Sequence, residues 1–528
     1  MVIFRKQRNN TMNSKGNYTA PKWIAGISAA LCGVAAHGFA LANVLHNYDN
    51  ILQQPKGYGA GITSGRWFLS ILGDFCENVL DLGYNLGTIN GLIFLAFVAL
   101  SAVLIVDVLK IRSCVSSVLI GCLMVTFPTV CASMVFRYTV PYYGLALLLS
   151  VAAVWVAHRN RWGMLLAALC LAFSMGIYQA YPPVTISLFL LLLMQEALME
   201  DARLKILFFR GLYACGCLIL GVVLYFVLLK LSLALYSING EVVLDSYQGI
   251  HSMGKISLWE LPWLMKKAWT SAVLFPIRDY CGIAGSRPLK LLWTVLLLLA
   301  VVLALMLMWG RRKKPLNCAF FALMGLLLPL GINFIVVMAP EGIVYTIMVY
   351  SFVLAAVLPL MLLEQLSEGK EKRLLFRGIG ILAAAIVFYN SCYANLNYTR
   401  LFYANHQVQN YFTGMAAQIR MTEGYTPDKK LVVIGDRIED PNMWDIWNVG
   451  PVYGGFAGSS AKGLLQADYS VMHWIDCYLG LGFERGTEED TEALVQNTRV
   501  QEMPCWPSEG SILVIEDSLV LKLQNIQG

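Results

Sequence analysis

Charge is scarce in this sequence. Only 14% of its 528 residues are Asp, Glu, Lys or Arg, against about 25% in an ordinary soluble domain. The length alone would suit two or three soluble domains. A water-facing surface needs polar cover that this chain lacks, whereas lipid makes no such demand. Motifs for metals and cofactors are also missing. There is no C-x-x-C and no Cys/His cluster with zinc spacing. There is no G-x-x-x-x-G-K-[ST], no H-E-x-x-H and no convincing dinucleotide fingerprint. The glycine-rich stretch Gly450–Gly458 lacks the strand–turn–helix frame of a phosphate loop. No metal and no cofactor is therefore called for. The net charge of +6 is small and forms no basic stripe interleaved with aromatics, which excludes nucleic acid as a partner. No internal repeat suggests a transporter built from inverted halves.

The 13 cysteines are scattered, and Cys32, Cys122, Cys131, Cys170, Cys215, Cys217 and Cys318 sit inside apolar runs as small core residues. Cys477 and Cys505 lie in the polar tail, and whether they pair stays open. The first apolar run, Trp23–Val44, is too long for a signal-peptide core of about 7–15 residues and has no clean cleavage site. It reads as a retained first helix.

What the chain has in abundance is long apolar runs. About 20 helical residues cross roughly 30 Å of hydrocarbon. Eleven runs qualify: Trp23–Val44, Thr88–Lys110, Cys114–Val135, Val140–His158, Trp162–Ala180, Pro182–Leu198, Phe209–Tyr236, Leu289–Trp309, Leu316–Met338, Ile343–Leu363 and Leu374–Tyr393. The fourth and sixth are short, and Tyr181-Pro182-Pro183 separates the fifth from the sixth. Lys and Arg recur in every second connection. They stand at Arg5–Lys22, Lys110/Arg112, Arg159/Arg161, Arg203–Arg210, Arg311–Lys314 and Lys370–Arg377. The intervening short loops hold Arg137 or no basic residue. The positive-inside rule then places the N-terminus, residues 1–22, in the cytoplasm, and an odd helix count places the tail outside. The expected fold is an all-α polytopic domain over 23–393, with outer loops 45–87 and 237–288, followed by a small extracytoplasmic α/β domain over 394–528.

Within the second outer loop, Leu258–Trp269 is apolar, interrupted and rich in Trp. It fits a helix lying in the interface plane or an ordinary amphipathic helix packed on protein. In the tail, Lys430–Asp436, Ser511–Asp517 and Leu519–Leu523 read as strands, the last two as a hairpin, and Asn405–Arg420 reads as a helix.

The outer face collects the residues that can carry chemistry. They are Asp49, Arg66 with Trp67, Arg137 with Tyr138, and Tyr178-Gln179-Ala180-Tyr181. Carboxylates deprotonate hydroxyls or support an oxocarbenium-like transition state. Arginine matches phosphate oxygens, and aromatic faces pack on sugar rings. Each residue also has an ordinary reading. Asp49 is a loop or capping acid, Arg66 and Arg137 snorkel to lipid phosphates, and Tyr178 and Tyr181 belong to an aromatic belt. Glu488-Glu489-Asp490 reads as solvated surface.

The order His37-Gly38-Phe39-Ala40-Leu41, Asn47-Tyr48-Asp49, Ser64-Gly65-Arg66-Trp67, Gly176-Ile177-Tyr178-Gln179-Ala180-Tyr181 and Asn395-Leu396-Asn397-Tyr398-Thr399-Arg400 resembles the Gtr-type glucosyltransferase II family of bacterial serotype-converting membrane enzymes. The resemblance implies a GT-C-like glycosyltransferase of the cytoplasmic membrane. Such an enzyme moves a hexose, here glucose, from a polyprenyl-phosphate donor to a cell-surface glycan on the outer side. It further implies a catalytic acid in the first outer loop, where Asp49 fits and Asp74 and Glu77 are weaker candidates. Arg66 and Arg137 would hold the lipid phosphate. Trp67, Tyr138, Tyr178, Gln179 and Tyr181 would contact sugar or acceptor. Other readings are a flippase or transporter, a polysaccharide polymerase or ligase, and a non-enzymatic scaffold.

Overall fold

The computed structural model describes residues 19–159, 162–237, 244, 257, 259–438, 461–465, 470–479 and 483–525. The N-terminal cations before Thr19, Arg161, Leu258 and the glycine-rich stretch 450–458 lie outside the described residues. The chain divides into two compact units. The described part of the first comprises 19–42 and 55–395. The second takes 43–54 together with the described residues from Leu396 onward.

The first unit is a helical bundle. Its helices are α1 (Thr19–Ala42), α2 (Trp67–Asp74), α3 (Gly87–Val108), α4 (Cys114–Thr126), α5 (Pro128–Met134), α6 (Val140–Ala157), α7 (Gly163–Ile177), α8 (Pro182–Ala197), α9 (Leu204–Tyr236), α10 (Leu261–Arg278), α11 (Arg287–Gly310), α12 (Pro315–Ile332), α13 (Val353–Leu363) and the start of α14 (Lys370–Met421). Among the described residues, seven helices are long and apolar enough to cross a membrane, or eight if the bent pair α4–α5 is one span. Gly163–Ile177, Pro182–Ala197 and Tyr350–Leu363 are apolar but shorter. These elements occupy the eleven runs of the sequence, three of them below the length of a straight crossing. The 42° bend between α4 and α5 has a local cause. Pro128 lacks an N–H and forces Phe127 to an extended ψ of 140°.

Neighbouring helices approach closely where side chains are small. A Cβ on Gly121 would strike the carbonyl of Ala25, so α1 and α4 meet there backbone to backbone. Polar side chains inside the bundle find partners. Ser150 donates to the Tyr181 carbonyl at 2.8 Å, and Ser174 donates to that of Ala146 at 2.7 Å. Both exchange what would be an orphaned hydroxyl in hydrocarbon for a helix–helix tie.

Charge is sorted to the bundle's ends. At one end Asp107 faces Arg159 at 2.6 Å and Lys22 at 3.8 Å and accepts from the Trp155 indole at 2.7 Å. Gln195 donates to the Leu109 carbonyl at 2.6 Å, and Glu196 pairs with Arg210. Lys314 reaches the Glu200 carbonyl, while Ser113 N–H donates to Glu364 at 3.0 Å. The basic connections of the sequence thus meet one another. The loop 55–86 and the turn 178–181 belong to the opposite helix ends.

α10 is the Trp-rich amphipathic segment of the second long loop. Leu264, Ala268, Ala272 and Phe275 are buried, while Trp263 and Ile277 stay exposed. One face packs on protein and the other is left apolar and open.

In the second unit, β1 (Lys430–Ile434) runs parallel to β3 (Ser518–Lys522), which pairs antiparallel with β2 (Ile512–Ile515). Side-chain alternation sends Leu431, Ile512, Leu519 and Leu521 to a core with Phe412, Met415, Ile419 and Trp474. It sends Val432, Ile434, Ile515 and Val520 to a second core with Leu494, Val500 and Met503. The tail is thus a three-stranded sheet covered on both faces, with the expected hairpin. Glu488-Glu489-Asp490 form the first turn of a helix capped by Thr487, whose hydroxyl accepts from Asp490 N–H at 3.1 Å. The acids lie at the positive end of the helix dipole. Cys477 and Cys505 are free thiols.

The helix expected at 405–420 is continuous with the last apolar run as the 52-residue α14, because Asn395–Arg400 contains no breaker. The segment 43–54 is pinned to it. Asn405 accepts from the His46 N–H at 2.8 Å and donates to the His46 carbonyl at 2.8 Å. Asn50 N–H caps on Asn47, and Ile51 is buried in the core. Replacing Asn405 by Leu removes both partners of a buried peptide group, which costs on the order of 1–3 kcal/mol per orphaned group. The expected outcome is a lower unfolding temperature with faster amide exchange confined to 43–54. Unchanged exchange there would contradict this anchoring.

Candidate active site

The candidate site grows from a loop that the turn chemistry makes rigid. A short helical turn, Ile62–Ser64, ends at Gly65 in the left-handed conformation, φ 70°, which glycine adopts without a steric penalty. This turns the carbonyls of Ser64 and Gly65 toward the bundle. The Gln179 amide donates to the Ser64 carbonyl at 2.9 Å and to the Tyr225 hydroxyl at 3.2 Å. Tyr225 donates to the Gly65 carbonyl at 3.1 Å. Gln179 is therefore the tie between the turn 178–181, the loop and α9.

Arg66 follows directly. Its guanidinium lies over the Tyr178 ring, 5.1 Å from the centroid, and donates to the Tyr143 hydroxyl at 3.4 Å. Tyr143 stacks on Tyr178 at 4.3 Å, and Tyr178 meets Tyr181 edge-on at 5.7 Å. Tyr181 continues to Tyr350 at 6.3 Å. A cation is thus held against an aromatic row, half-buried, where cation–π attraction is stronger than in water. Tyr178 and Tyr181 are buried and pack inside the bundle rather than standing in a lipid-facing belt. Trp67 is buried beneath them with Phe68, Phe173 and Met175. A Cβ on Gly176 would sit 2.6 Å from its ring, so Gly176 is what admits the indole.

Arg137 is buried and donates to the Ala40 carbonyl at 2.6 Å, at the end of α1 and not out toward lipid. Tyr138 is half-buried and lies on the loop, with its ring 2.6 Å from where a Cβ on Gly59 would stand. Asp49 belongs to the second unit, half-buried on the segment that Asn405 pins. The structure thus joins Arg66, Trp67, Tyr178, Gln179 and Tyr181 in one contact network. It sets Arg137 and Tyr138 against α1 and the loop, and carries Asp49 on the other unit.

The first loop contributes its own acids. Asp74 accepts from Tyr58 at 2.9 Å and Tyr236 at 2.6 Å. Burial, then the negative charge of Asp74, pushes the Glu77 carboxyl above the usual glutamate range, against the pull of Lys56. Its Oε1 is buried with no hydrogen-bond partner among the described residues. Tyr143 and Tyr225 were not singled out from sequence. The one signal for Tyr225 is a phenol in the middle of an otherwise apolar run. Among the described residues no group of three His, Cys, Asp or Glu side chains could hold a metal ion.

The model of the family Glucosyl transferase GtrII matches residues 38–358. This chain belongs to the GtrII glucosyl transferase family. The matched stretch includes Asp49, the Arg66–Tyr178 network and Arg137. No curated protein and no solved structure gives a match. The GtrII chain is therefore a membrane glucosyltransferase, and its first unit holds the cluster of Arg66 with Tyr143 and Tyr178 at the helix ends away from the basic connections.

Glu77 generates a pH prediction. A carboxyl raised on folding binds its proton more tightly in the folded chain. Its stabilising contribution is full below the ordinary value of about 4.3 and is lost as pH rises through the raised one. Glu77→Gln carries no charge at any pH. Its unfolding temperature is expected to exceed that of the parent at about pH 8 and to converge on it near about pH 4. A parallel fall in both proteins would contradict the assignment.

Proposed function

We propose that this chain transfers glucose from a polyprenyl-phosphate donor to a surface glycan on the outer side of the cytoplasmic membrane. The observation that supports it most is the placement of Arg66. It is a cation braced on Tyr143 and Tyr178, at the helix ends opposite those where Lys22, Arg159, Arg210 and Lys314 gather. The positive-inside rule reads the latter end as cytoplasmic, so the Arg66 end faces outward. A lipid-linked donor suits a site among membrane helices in a chain without a nucleotide-binding fingerprint.

In this reading Asp49 accepts the proton of the acceptor hydroxyl. The oxygen attacks the anomeric carbon, the bond from that carbon to phosphate breaks, and polyprenyl phosphate leaves. Arg66 holds the departing phosphate and neutralises its developing charge, with Arg137 adding positive charge at the same end. Tyr178, Gln179 and Tyr181, with Trp67 and Tyr138, shape the wall around the sugar.

The test is turnover by the purified chain with a panel of radiolabelled polyprenyl-phosphate sugars. Polyprenyl-phosphate glucose is expected to be the productive donor. Asp49→Asn is expected to abolish transfer, and Arg66→Ala to lower it about 10²-fold or more, both with normal membrane insertion. A requirement for polyprenyl-diphosphate oligosaccharide would replace the reading with that of a polymerase or ligase. Near-normal transfer by Asp49→Asn would remove Asp49 from the mechanism.

A further inference from the structure

The connection between α3 and α4 meets the one between α13 and α14 at the basic end of the bundle. A cavity of about 600 Å³ lies there, lined by Arg112, Lys372, Arg373 and Arg377, by Glu364 and Glu368, and by the apolar side chains of Leu363, Leu366 and Phe376. Four cations face two carboxylates. Glu364 gives one oxygen to the Ser113 N–H at 3.0 Å, and Glu368 pairs with Lys372 at 2.8 Å. Among the described residues Arg373 and Arg377 form no ion pair, and both are exposed.

These two arginines stand four apart in the first turns of α14. Like charges at that spacing repel, and cations at a helix N-terminus oppose its dipole. Both costs are offset by an anion seated between them. The same helix face continues into the apolar Leu374, Ile381 and Phe388, which are 71%, 70% and 65% exposed. The cavity therefore opens where the helix enters hydrocarbon. Its lining is cationic at one edge and apolar at the other.

We propose that this cavity binds the phosphate headgroup of an anionic phospholipid, with the acyl chains running down past Leu374. The inference is independent of the donor and of the acceptor glycan, because it concerns the end of the bundle away from Arg66. Basic pockets between transmembrane helices are where anionic headgroups are held, and arginine offers phosphate a bidentate fork.

The test uses the full chain in a neutral detergent, with added phosphatidylglycerol, phosphatidylcholine or inorganic phosphate. Bound lipid is read by native mass spectrometry and stability by thermal unfolding. Phosphatidylglycerol is expected to be retained and to raise the unfolding temperature, while phosphatidylcholine and inorganic phosphate leave it unchanged. The R373A/R377A chain is expected to lose about tenfold in retention. Arg377→Gln alone, a single change on an exposed turn, is expected to lose about threefold. Arg373→Lys with Arg377→Lys, which keeps the charge, is expected to keep most of the retention. Equal retention of phosphatidylglycerol by Arg377→Gln and the parent would overturn the site. A shift with inorganic phosphate as large as that with phosphatidylglycerol would overturn the lipid assignment.

Discussion

Hydrocarbon cannot solvate an ion or an unpaired peptide group, and the rest of this structure depends on that constraint. It makes the chain spend its apolar residues on helices and confines its few charges to their ends. The cluster of Asp107 with Lys22, Arg159 and Trp155 shows the result at one end. Three helices are tied together there by a carboxylate that would be costly alone. The other end carries Arg66, whose guanidinium lies over the Tyr178 ring and donates to the Tyr143 hydroxyl.

Precision at that end comes from polar atoms spent inside the bundle. Gln179 and Tyr225 hold the Ser64 and Gly65 carbonyls, so the loop bearing Arg66 moves with α9 and the turn 178–181. Gly176, having no Cβ, leaves room for the Trp67 indole. The second unit repeats the device. Asn405 holds both sides of the His46 peptide unit, and the buried Lys522 at the end of β3 donates to the Val500, Gln501 and Met503 carbonyls at 3.0, 2.9 and 2.7 Å. That lysine closes the C-terminal end of a short helix.

Much of this was legible in the residues. Long apolar runs and alternating basic connections are one-dimensional signals, and they anticipated the bundle, its charge polarity and the three strands of the tail. Gln179 was picked from sequence as an outer-face residue, and the structure makes its amide a tie between elements. What was not legible depends on contacts distant in sequence. Tyr143 and Tyr225 look like any aromatic in a membrane helix until Arg66 and the Gly65 carbonyl are brought to them. The burial of Tyr178 and Tyr181 contrasts with the aromatic belt that their helix-end positions suggest. That 43–54 belongs with the tail follows from Asn405, some 359 residues away from His46, and no local pattern announces it.

The proposed function stands on one topological premise, that the basic connections face the cytoplasm and the second unit lies outside. Cys477, an exposed free thiol in the second unit, reports on it directly. A chain keeping Cys477 as its sole cysteine is treated with a membrane-impermeant maleimide in sealed right-side-out vesicles. The account predicts full labelling before the vesicles are opened. Labelling only after they are opened would contradict it.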